Sequence, residues 1–224
     1  MTHSLHRRGS RESLEGDYLI FVAREKPIED EERNRKLIHI MTKHNPAGVI
    51  TQKIVDGRKT RSRFAKGWEK RMDSGLHESS TLEEINDIEL PRSWGAVYSE
   101  KEDAQRVIKE LYEAELGYSV VVSGIFDEVR DMCEKVGTQP HTVNMSLETH
   151  GKTSLMAEPR ILEFVTMCGH SFIAPALVRY LIERVKKGAM TAEAAAVEMG
   201  KQCTCNFLNN VRAAKMINDY IKEG

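Results

Sequence analysis

Between Ser99 and Gly137 the hydrophobic period of the chain changes twice, and that change restricts the fold more than any other feature. Ser99-Glu100-Lys101-Glu102 has the form of a capping box, in which a serine oxygen and an acidic side chain satisfy free N–H groups at a helix start. Ala104, Val107, Ile108 and Leu111 then recur at helical spacing, and Gly117 stops the helix. Residues 118–123 read YSVVVS, an unbroken apolar run that predicts a strand buried on both faces. Gly124 turns into a second helix, with Val129, Met132, Cys133 and Val136 on one face and Gly137 at its end.

The flanks extend this alternation. Residues 17–23 (DYLIFVA) and 47–55 (AGVITQKIV) read as strands, 29–44 as a helix carrying Leu37, Ile38 and Met41, and 96–99 as a further strand. Residues 141–145 (HTVNM) are a candidate last strand. The order β-α-β, insertion, β-α-β-α-β predicts an α/β fold in which helices cover a small mixed sheet. A ferredoxin-like split βαβ and a small doubly wound sheet both fit.

From residue 161 onward only helical patterns follow, so the expected organisation has three parts. Residues 1–16 form a disordered basic tail, 17–150 an α/β domain with an irregular basic insertion at about 56–92, and 151–224 an all-helical module. The tail has no apolar core of a secretory leader, so the expected location is the cytoplasm, where thiols stay reduced. No apolar run approaches the ~20 residues of a membrane helix.

The 33 Lys and Arg against 34 Asp and Glu leave a net charge of −1, which argues against a dedicated nucleic-acid binder. The balance conceals one basic stretch, residues 53–72, where Arg58, Arg61, Arg63 and Lys66 are interleaved with Phe64 and Trp68. That stretch is a candidate surface for a partner protein, an anionic molecule or, through phosphate contacts and base stacking, nucleic acid.

Cysteine placement carries the chemistry. Of the four cysteines, Cys133 falls on the apolar face of its helix and reads as core. The other three form two short motifs, Cys168-x-His170 and Cys203-x-Cys205, each expected just before a helix. Helix starts offer unpaired N–H groups and positive potential that favour a thiolate. Cys168, His170, Cys203 and Cys205 are therefore the candidate ligands of one metal centre. Closed Cys3His coordination suits structural zinc, and three thiolates also suit a [4Fe–4S] cluster. An open iron site would give a Lewis acid or an electron carrier. His141 and Asn144, in the segment joining the two halves, are candidates to face a small molecule.

Residues 138–151 (TQPHTVNMSLETHG), 167–170 (MCGH) and 203–213 (CTCNFLNNVRA) resemble a family of proteins from anaerobic prokaryotes. The resemblance runs from about residue 119 onward, roughly the last half of the chain. It implies a metal or iron–sulfur centre in the cysteine segment, with iron–sulfur favoured, and it implies no particular reaction.

Overall fold

The computed structural model describes residues 7–23, 30–55, 58–68, 77–88, 94–146 and 149–223. Six strands form one sheet: β1 (Tyr18–Ala23), β2 (Gly48–Val55), β3 (Arg58–Ala65), β4 (His77–Ser79), β5 (Trp94–Tyr98) and β6 (Ser119–Ser123). Their spatial order is β4-β3-β2-β5-β1-β6. Every neighbouring pair is antiparallel except β3 with β4. The inner order β6-β1-β5-β2, with α2 (Glu31–Lys43) joining β1 to β2 and α4 (Lys101–Ala114) joining β5 to β6, is that of two interleaved βαβ units. A doubly wound sheet would require parallel neighbours.

Side chains alternate across the sheet as the strand period demands. Tyr18, Ile20, Val49, Ala96 and Tyr98 point to one face, where they meet Leu37, Ile38 and Met41 of α2 and Val107, Ile108 and Leu111 of α4. Met132 of α5 (Phe126–Lys135) joins that layer, and buried Cys133 lies beside it on α5. Leu19, Phe21, Ile50 and Val97 point to the other face. There they pack on the C-terminal helices α6 (Pro159–Val165), α7 (Pro175–Lys186), α8 (Ala192–Gly200) and α9 (Asn210–Glu223). The sheet is thus buried on both sides. Phe207, in the loop before α9, lies directly over Gly95: a Cβ there would stand 2.3 Å from the phenylalanine ring. Only glycine admits that approach.

Several expectations need correction. Where it is described, the insertion at 56–92 holds regular elements. β3 pairs with β2 over its whole length, and α3 (Leu82–Asn86) starts on a complete Thr81–Glu84 capping box. Strand character in β3 was hidden because Thr60, Ser62 and Arg63, all buried, are polar. Where a tail was expected over 1–16, residues 7–16 pack on the body and include the short helix α1 (Arg11–Leu14), while residues 1–6 lie outside the described set. Ser99 does not cap α4; its hydroxyl donates to Asn209 Oδ1 at 3.1 Å. Residues 141–145 form no strand and lie exposed, Met145 at 77 %. Among the described residues, no helix is long and apolar enough to cross a membrane.

The N-terminal segment is fastened by a buried charge network. The Asp17 carboxylate is inaccessible to solvent and accepts from Arg212 Nη1 of α9 at 2.6 Å, from Asn209 Nδ2 at 3.1 Å and from Arg7. Arg212 also donates to the Arg8 carbonyl at 3.3 Å and to the Ser13 hydroxyl at 3.0 Å. Ser13 in turn donates to Glu163 of α6.

Candidate metal centre

Two loops on the C-terminal side of the sheet meet at the cysteines. The first follows α6, which opens on Pro159 and closes with Thr166 donating to the Leu162 carbonyl at 2.7 Å. Gly169 (φ 82°) and Ser171 (φ 57°) then take left-handed conformations, and α7 begins only at Pro175. The second loop leaves α8 through a turn in which Cys203 N–H donates to the Gly200 carbonyl at 3.0 Å, and reaches α9 at Asn210. Neither cysteine motif stands at a helix start, contrary to expectation. Cys168 lies just after the end of α6, and Cys203 and Cys205 lie in the connection before α9. What concentrates the thiols is loop geometry rather than a helix dipole.

The ligand atoms of Cys168, His170 and Cys205 all lie within 4.8 Å of one another. Cys203 Sγ stands 3.5 Å from Cys205 Sγ. Cys168 and Cys203 are fully buried, whereas Cys205 and His170 are half-buried, so the group opens to solvent on one side. The His170 ring stacks on Phe172, with centroids 5.1 Å apart and planes 4° from parallel. All four cysteines are free thiols, and Cys133 sits apart on α5 as core.

The thiols share protons. Hydrogen bonds from Cys203 and then Cys205 draw the Cys168 thiol down to about 2. The same bond to Cys168 pushes Cys203 well up, with burial adding to it, and pushes Cys205 up to about 12. The three thiols thus favour a negative charge at Cys168 over one at either neighbour.

The hairpin β2–β3 supports the second loop. Asn206, itself left-handed at φ 56°, donates through Nδ2 to the carbonyls of Val49 at 2.9 Å and Phe64 at 2.7 Å. Asn210 donates to the Lys66 carbonyl at 3.1 Å, and Asn209 to the Gly16 carbonyl at 3.1 Å. Arg63 Nη1 donates to the Cys203 carbonyl at 3.2 Å, and Arg61 Nη1 to the Thr204 carbonyl at 3.3 Å.

Arg63 is 3 % exposed, with Trp68 5.1 Å from its guanidinium, and no carboxylate pairs with it among the described residues. Burial lowers its pKa, and the neighbouring cysteines Cys203 and Cys205 oppose that shift. Arg63, expected to face a partner, is thus buried against the chain's own cysteine loop, and half-buried Arg61 donates to the same loop. Lys66 and Trp68 lie in the turn that ends the hairpin, and Arg58 begins β3. His141 and Asn144 are exposed in the segment after α5.

Of the four expected donors, Cys168, His170 and Cys205 form the mutual group and Cys203 lies against Cys205. Their support from Arg61, Arg63, Asn206, Asn209 and Asn210 was not expected. The one available signal was three asparagines within five residues directly after Cys205. Such a density of side chains able to bond backbone marks a loop held from several sides. Comparison with protein-family models, curated proteins and solved structures finds no match.

Proposed function

We propose that this protein binds one zinc ion through Cys168, His170, Cys203 and Cys205, and that the ion ties the loop after α6 to the loop before α9. The observation that carries this reading is the mutual 4.8 Å limit on the Cys168, His170 and Cys205 ligand atoms. Zinc bonds of about 2.3 Å to sulfur set ligands roughly 3.7 Å apart at the corners of a tetrahedron. A cubane seats each thiolate on a different iron, which spreads the sulfurs to roughly 6 Å. The spacing therefore supports a single ion, although the resemblance to proteins of anaerobes favours a cluster. Charge supports the same ligand set: three thiolates around a divalent ion leave one negative charge, and Arg63 is a buried cation beside them. With Cys203, 3.5 Å from Cys205, as the fourth ligand, no open position remains, which is the arrangement of a structural centre.

Metal analysis after purification without oxygen tests this. The expected result is a colourless protein with one equivalent of zinc, which cobalt replaces to give the visible bands of a tetrahedral thiolate site. A brown protein containing iron and sulfide, or a folded protein with no metal, overturns it. A second expectation follows from the shared protons. Thiols bind zinc as thiolates, and the hydrogen bonds among the three favour the anion at Cys168 and the protonated form at Cys203 and Cys205. Loading then releases protons, their number set by how many thiols are neutral beforehand, and affinity rises with pH. Calorimetry in two buffers of different ionisation enthalpy measures that number.

A further inference from the structure

We infer that β6 is the seam of a homodimer, in which two copies pair their β6 strands antiparallel about a two-fold axis through Val121. The inference is independent of the metal centre. Among the described residues β6 closes one end of the sheet and pairs with β1 alone. Among the described residues, no other segment makes a backbone hydrogen bond to Val120, Val121 or Val122. Alternate residues of an edge strand direct their N–H and C=O groups away from the sheet, ready to accept another strand.

Natural edges are blunted by shortness, charge, proline or a bulge. The opposite edge fits that rule, since β4 has only three residues. β6 has none of these devices. It is as long as the central strand β5, its sequence is SVVVS, and its register with β1 runs unbroken from Ser119 to Ser123. Its valines are half-buried although the strand lies beside the core. An uncharged, apolar edge of this kind is stable in solution when it is covered.

The sequence indicates what covers it. SVVVS reads the same in both directions. Antiparallel pairing about Val121 sets Ser119 opposite the partner's Ser123, Val120 opposite the partner's Val122, and Val121 opposite its own copy. Every cross-strand pair is then serine with serine or valine with valine, and β-branched pairs are among those that stabilise a ladder. No charge meets its like across the axis. The arrangement works whichever alternate set of backbone groups points outward. A two-fold axis normal to the sheet also keeps both copies of α2 and α4 on one side and both sets of C-terminal helices on the other. A foreign strand would place no such demand for symmetry on this sequence.

Sedimentation of the intact protein at about 50 µM, well above the Kd of a stable homodimer, is expected to give twice the mass of the chain. Val121→Cys, close to isosteric, is expected to cross-link to its own copy in air. Cα atoms paired across an antiparallel ladder lie about 4.5–5.5 Å apart, a distance a disulfide spans. Ser119→Cys, whose two-fold mate is Ser123, is expected to stay uncrosslinked. Peptide mapping identifies the bond against the four native thiols. A monomeric native protein, a Val121→Cys variant that does not cross-link, or equal cross-linking of both variants overturns the inference.

Discussion

Replacing Cys168 with alanine is expected to reduce bound metal from one equivalent to almost none and to lower the melting temperature by on the order of 10 °C. Cys168 is the fully buried thiol to which Cys203 and Cys205 both donate, and it comes from the loop opposite theirs. Without it, His170 is the only remaining donor on its side, and the ion no longer bridges the two loops. An ion held at a free concentration about a thousandfold above its dissociation constant contributes about 4 kcal/mol to the folded state. The variant forfeits that contribution. Cys133→Ala is the control: it removes a buried sulfur from α5, costs about 1–2 kcal/mol by loss of packing, and leaves metal content unchanged. Metal analysis and a thermal melt on the two proteins suffice. Full loading of Cys168→Ala would end the proposal.

Asp17→Ala is expected to cost about 3–5 kcal/mol, the range for removing one member of a buried ion pair. Asp17 has no exposed side-chain surface, and the Arg212 side chain is only 3 % exposed. Arg7 and Asn209 converge on the same carboxylate. Removing it leaves a buried guanidinium with Glu163 as its nearest acid, 3.9 Å away. Water cannot compensate a charge so enclosed. Urea titration reads the effect as a lower midpoint with an unchanged slope. A shift under 1 kcal/mol would mean that residues 7–17 detach at little expense.

The α/β alternation was legible from period alone. β1, α2, β2, β5, α4, β6 and α5 all occur within a few residues of where the hydrophobic pattern places them. The reason is that each presents apolar side chains at a regular interval to one of two cores. β3 was not legible, because Arg63 and Ser62 are inward-facing yet polar, and a periodicity argument sees only apolar residues. The convergence of Cys168, His170 and Cys205, with Cys203 beside Cys205, was legible from their clustering. The reason offered for it, two helix starts, was not the operative one. The turns at Gly169, Ser171 and Asn206 depend on left-handed backbone and on bonds to strands far away in sequence. Nothing local in the chain announces either.

Covering the sheet with helices encoded last has a consequence during synthesis. A chain emerging from the ribosome folds from its N-terminal side at about 5–20 residues per second. β1, β2, β5 and β6, with α2 and α4, are complete well before α6 appears. For several seconds Leu19, Phe21, Ile50 and Val97 face water on a finished sheet that has no lid. A nascent chain in that state is a target for holdase chaperones, and the arrival of Cys203 and Arg212 marks the end of its exposure.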